Sequence, residues 1–125
     1  MPIEIQSDGE NLIFFDYANR KVTIKETDFL QLMMSEERRS IRPILEDCLK
    51  NPTEVWWNIE DIEGKNYSYY KFFKVYSNLV FVALVLMDEA LNFHLNNFYG
   101  FAENEFELAE KERKGRLIRS NLNHK

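Results

Sequence analysis

Lys50-Asn51-Pro52-Thr53-Glu54-Val55-Trp56-Trp57 is the stretch on which the fold turns. Upstream of it, Ile41, Ile44, Leu45, Cys48 and Leu49 recur at i, i+3, i+4, i+7 and i+8, the spacing of a helix that buries one face. Ser40 is the predicted N-cap, because Pro43 then falls in the first turn, where its missing N–H costs nothing. Asn51-Pro52 stops the helix, since the proline ring crowds helical backbone at the residue before it.

Downstream the apolar period drops from near 3.6 to 2. Residues 55–59, the Tyr/Phe/Val-rich run 66–76, the almost wholly apolar run 79–87, and Leu91, Phe93 and Leu95 alternating with Asn92, His94 and Asn96 read as four strands. Glu63-Gly64-Lys65, Ser77-Asn78 and Asp88-Glu89 join them, and joints this short imply antiparallel hairpins. A four-stranded antiparallel meander packed by a helix follows. The run 79–87 is apolar on both faces and belongs inside the sheet with cover on both sides, from the helix and from the N-terminal region.

That N-terminal region, residues 1–26, reads as a β-hairpin or short meander. Ile3 and Ile5 alternate with polar residues, Asp8-Gly9 and Ala18-Asn19-Arg20-Lys21 are turn signals, and Val22-Thr23-Ile24 is β-branched. Phe29, Leu30, Leu32, Met33 and Met34 crowd a short helical segment with an acidic start. At the other end, Asn104 caps a surface helix to about Arg113, Gly115 ends it, and residues 116–120 can add an edge strand. Phe98-Tyr99-Gly100-Phe101 reads as a loop able to close on a ligand or a second copy. The fold class is α+β, a single domain over 1–125 with its core at 38–120.

Composition narrows the function. With 125 residues and 45% apolar content there is enough for one core and too little for two ordinary domains. A net charge of −5 gives no general attraction to polyanions, so any nucleic-acid contact needs a local basic patch. Cys48 is the only cysteine; an internal disulfide is impossible, and its apolar neighbours make it an inert core thiol. Neither a basic start with a long apolar core nor a membrane-spanning run is present, so the expectation is a cytoplasmic protein without membrane contact. Zinc-type Cys/His spacing, phosphate-cradling glycine loops and Gly-x-Ser-x-Gly are missing, and Glu60, Asp61 and Glu63 lack the alternation of a calcium loop.

The helix, the Asn51-Pro52-Thr53-Glu54-Val55-Trp56 step, the strand with Tyr69-Tyr70-Lys71, the Val-rich strand, the alternating strand and the closing Lys114-Gly115-Arg116-Leu117-Ile118 together resemble the phage Barnase-EndoU-Colicin-RelE-like nuclease domains. The resemblance spans about residues 38–119, and the N-terminal 25 residues stand outside it. It implies a barnase/RelE-like helix on a four-stranded sheet whose open face cleaves RNA through the ribose 2′-OH, with neither metal nor cofactor. It also implies a phage or mobile-element origin, a toxin-like role, and RNA or a cognate inhibitor as partner. The alternative reading is a catalytically inactive protein-interaction or immunity-like module on the same scaffold, since fold does not fix function.

Metal-free cleavage needs a proton-transfer group and cations for the phosphorane charge. His94 is the candidate for the first; alternation puts it on the polar side of its strand with Asn92 and Asn96. Arg38 and Arg42, at the head of the helix, and Arg116 and Arg119, near the C-terminus, are the candidates for phosphate. Bland readings stand beside these: a solvated histidine, Arg38 and Arg42 paired with Glu36 and Glu37, and ordinary cations at a helix C-terminus. The strand expected to carry a small hydroxyl residue, 91–96, has no Ser or Thr. Of the aromatics Trp56, Trp57, Tyr67, Tyr69, Tyr70, Phe72, Phe73 and Tyr76, half must face away from any one layer, leaving one member of each adjacent pair for a surface patch.

Overall fold

Proline 43 divides what the periodicity presents as one helix. The computed structural model, which describes residues 6–7 and 10–120, has α1 at Glu26–Leu32, α2 at Glu36–Ile41, a 3-10 turn at Arg42–Ile44 and α3 at Leu45–Lys50. The N-cap is Ser35, whose Oγ accepts the Arg38 N–H at 3.2 Å, and not Ser40, whose hydroxyl donates to the Glu37 carbonyl at 2.7 Å. Proline has no N–H to donate and its ring clashes with the carbonyl four residues back, so the α-ladder tightens into a 3-10 turn there and restarts.

The strands are β1 (Gln6–Ser7), β2 (Asn11–Phe15), β3 (Lys21–Lys25), β4 (Glu54–Ile62), β5 (Lys65–Val75), β6 (Leu79–Met87), β7 (Phe93–Ala102) and β8 (Arg116–Ser120). They form one sheet in the order β1-β2-β3-β7-β6-β5-β4-β8. The α+β class holds, but the sheet has eight strands, not four. The N-terminal strands extend the sheet, β3 pairing parallel with β7 at Val22↔Phe93 and Thr23↔His94, and every other pairing is antiparallel; Phe14, Val22, Ile24 and Tyr17 contribute to the core on the helix side. The expectations placed on Ile3, Ile5 and Asp8-Gly9 lie outside the described residues.

One face of the sheet packs against α1 and α3. Phe29, Leu45, Cys48 and Leu49 meet Val55, Phe72, Phe81, Ala83, Val85, Leu95 and Phe98 there. Burial pushes the Cys48 thiol well up, and its Sγ donates to the Phe72 carbonyl at 3.3 Å. On the far face a smaller core gathers Phe73, Val80 and Val82 beneath Ala109 of α4, Phe106–Lys111. β6 is thus covered on both sides by helices, while Tyr17 of the N-terminal hairpin turn packs on the neighbouring strand at Phe72, ring centroids 6.1 Å apart. Residues 98–101 are not a loop: Phe98 is fully buried and stacks on Phe81 at 5.8 Å, and β7 runs on through a bulge opposite Leu84 and Val85.

The Asn51-to-Trp56 step is a structural joint. Pro52, Glu54 and Val55 are buried; the Thr53 N–H donates to the Phe73 carbonyl at 2.7 Å, and Thr53 Oγ1 accepts from the Val75 N–H at 3.0 Å. Glu54 accepts from the Trp56 indole at 2.8 Å and the Arg113 Nε at 2.7 Å, tying the sheet to the segment after α4. From there Gly115, at φ +95°, feeds the chain into β8 against β4.

Candidate functional site

Alternation sorts every sheet residue onto the helix side or the far side. On the far side, past the end of α4, an open groove of about 290 Å³ is lined by Glu60 of β4, Tyr69 and Lys71 of β5, Leu84 and Leu86 of β6, and Asn96 and Tyr99 of β7. The Lys71 ammonium donates to Glu112 Oε1 at 2.7 Å, and the Tyr99 hydroxyl donates to the same oxygen at 2.7 Å. Burial works to raise the Glu112 pKa, but the bonds from Lys71 and Tyr99 and the charges of Lys71 and Lys114 outweigh it and hold the carboxyl below its ordinary value. Tyr99 moves well upward, from burial first and then from its bond to that carboxylate.

His94 lies on the same face, opposite Leu86 in register. Its Nε2 is 2.8 Å from Asp88 Oδ2 and its Nδ1 is 3.4 Å from Thr23 Oγ1. Asp88 is held by its turn: its Oδ1 accepts from the Ala90 and Asn92 N–H groups, both at 2.9 Å, and Leu91 takes φ +66° to close the loop. The hydrogen bond with His94, and then those turn amides, keep the Asp88 carboxyl below the usual range. A carboxylate, an imidazole and a hydroxyl so form a line across β7 and β3. An imidazole with an oriented partner can take and return a proton.

None of the four arginines proposed from sequence joins this histidine. Arg38 Nε donates to Asn97 Oδ1 at 3.1 Å and to the Phe98 carbonyl at 3.2 Å, pinning α2 to the β7 bulge. Arg42 forms a two-pronged pair with Glu46, at 2.6 and 2.8 Å, over the rings of Phe14 and Phe29. Both belong to the helix side. Arg116 and Arg119 sit on β8, four strands along the sheet from β7, and their register with Trp57 and Val55 turns them to the helix side as well, the face opposite the histidine. Lys71 shares the far face, and so do Lys21 and Lys25, which alternate with Thr23 on β3 beside the histidine.

Sequence reasoning overlooked Thr23, Asp88, Lys71, Tyr99 and Glu112. Asp88 was legible as an Asp opening a tight turn six residues before the histidine. Thr23 depends on the parallel β3–β7 pairing between residues 71 apart in sequence, which no local pattern announces. Among the described residues, no three His, Cys, Asp or Glu side chains gather as a metal site would require, and no helix is long and apolar enough to cross a membrane.

An antiparallel-dominated sheet with helices on both faces, and with a partnered imidazole and a lysine on the face that carries α4, defines an α+β domain. The chain belongs to the phage-Barnase-EndoU-ColicinE5/D-RelE like nuclease2 family, whose profile matches residues 2–118. That match takes in the N-terminal hairpin, which the motif-based resemblance had left out. No curated protein and no solved structure matches the chain significantly.

Proposed function

We propose that the chain is a metal-independent endoribonuclease that cleaves RNA by attack of a ribose 2′-OH, with His94 as the proton-transfer group. The observation that carries this reading is the 2.8 Å contact between His94 Nε2 and Asp88 Oδ2 on the open face of a family nuclease-like sheet. In this mechanism the imidazole receives the 2′-hydroxyl proton as the oxygen attacks phosphorus, and Asp88 stabilises the imidazolium that forms. As the P–O5′ bond breaks, the leaving 5′-oxygen takes its proton back from the imidazolium, and the RNA ends in a 2′,3′-cyclic phosphate. Lys71, two strands across and two residues along from His94, or roughly 12 Å, contacts a flanking phosphate.

A second reading keeps the scaffold without catalysis, as a protein-interaction or immunity-like module. It is favoured by the groove itself, where Glu112 neutralises Lys71 and Glu60 adds a further carboxylate beside Leu84 and Leu86. Purified protein incubated with a structured RNA in EDTA separates the two. The first predicts cyclic-phosphate products and a loss of about 10²- to 10⁴-fold in His94→Ala. No cleavage by either protein decides for the second.

A further inference from the structure

The chain has seven arginines, and the structure already employs five of them. Arg20 pairs with buried Asp16, Arg38 with Asn97 and Phe98, Arg39 with the Met33 carbonyl, Arg42 with Glu46, and Arg113 with Glu54 and Glu110. Arg116 and Arg119 are exposed and have no carboxylate within ion-pair distance among the described residues. Among the arginines these two are the pair on one short strand, and neither has an acidic partner among the described residues.

Their surroundings are aromatic. The Arg119 guanidinium lies 4.5 Å from the Tyr17 ring centroid, and Arg116 is in register with half-buried Trp57, which is in turn in register with Tyr70. Tyr70 stacks on Phe93 at 5.2 Å, with Arg20 packed over Tyr17, Tyr70 and Phe93. The turn between β2 and β3 holds this cluster rigid. Asp16, fully buried, accepts from the N–H groups of Ala18 and Arg20 and from the Arg20 Nε, and Asn19 takes φ +62° to let the chain reverse. The patch lies on the helix side of the sheet, beyond the helices and on the face opposite His94.

We infer that this surface binds single-stranded RNA, with Arg116 and Arg119 on consecutive phosphates and Trp57 stacking against an unpaired base. Arginines without acidic partners beside flat, pre-ordered rings match what a single strand offers, alternating charge and exposed base faces. A duplex hides those base faces. The inference rests on the reading that RNA is the substrate, but it concerns binding, on residues separate from the cleavage centre. It can therefore fail while that reading stands.

The probe is a fluorescein-labelled 12-nucleotide 2′-O-methyl RNA, which lacks the attacking hydroxyl and reports binding by anisotropy alone. Arg116→Gln/Arg119→Gln is expected to weaken binding about tenfold and to flatten the salt slope by about 1.4, the share of two phosphate contacts to a single strand. Trp57→Ala is expected to lose about fivefold or more. Because Trp57 also packs in the sheet, Trp57→Phe serves as its folded control and should retain most of the affinity. No binding by the parent, or equal affinity and slope in the double arginine variant, overturns the inference. So does displacement of the RNA by an equimolar poly-glutamate peptide, which would assign the surface to an acidic protein instead.

Discussion

Arg113 Nε meets Glu54 Oε1 at 2.7 Å although 59 residues separate them in sequence. Glu54 is 2% exposed, so its charge is tolerated only because the guanidinium and the Trp56 indole surround it. The same guanidinium lies over the Phe73 ring at 4.9 Å and reaches Glu110 at 3.0 Å. One buried pair therefore fastens the first long strand of the sheet, α4 and the approach to β8.

Glu54→Ala strips Arg113 of its buried partner and should cost about 3–5 kcal/mol, the usual consequence of stranding one half of a buried ion pair. Arg113→Ala should cost a similar amount. The double variant should cost less than the sum of the two, because neither charge is then left alone. Urea unfolding of the three variants checks this; additive losses would show that the two residues do not depend on each other.

The strand nearest this pair shows how far sequence carries the fold. Period-two patterning places the strands from residue 55 to residue 97, because each alternates against a buried layer and is bounded by a turn. The single long helix fails at Pro43, where a local ring constraint overrides the apolar period. Residues 98–101 look like a loop because Gly100 interrupts an aromatic run. In the structure that glycine lets the strand pass closely beneath α2, where an added Cβ would sit 3.1 Å from a Leu79 methyl and 3.4 Å from an Ile41 methyl. For the site, alternation alone puts His94 on a polar face. Its partners Thr23 and Asp88, and the separation of all four arginines from it, follow from strand order, which is a non-local property.

Gly115 is the second joint whose failure should be visible. Its φ of +95° is costly for any residue with a Cβ, and a Cβ built there would lie 2.1 Å from the Trp57 carbonyl oxygen. Backbone cannot yield cheaply, so Gly115→Ala should free β8 from β4 and destabilise the chain by at least about 2 kcal/mol. Hydrogen exchange should then rise in residues 54–57 and 116–120 ahead of the rest of the sheet. Unchanged protection at those amides would mean that β8 is held by something other than this approach.

The pairing of Tyr99 with Glu112 gives stability an opposite dependence at each end of the pH scale. The Tyr99 pKa is raised in the folded chain above its ordinary 10.0, so its contribution is fully present below that value and is lost as pH climbs above it. Glu112 is lowered from 4.5; its contribution is present above that value and fades as pH falls below it. Tm should therefore hold a plateau through neutral pH and decline on both sides. Tyr99→Phe should cost about 1.5–3 kcal/mol at neutral pH, where a hydrogen bond to a carboxylate is lost, and should make the alkaline decline shallower. Part of that decline should remain, because Tyr70 is also raised, chiefly by burial. Thermal unfolding followed by circular dichroism from about pH 3 to pH 11 measures both limbs. An alkaline limb equally steep in Tyr99→Phe and the parent would separate this phenol from the pH response, and would leave the Lys71–Glu112 pair to order the groove without it.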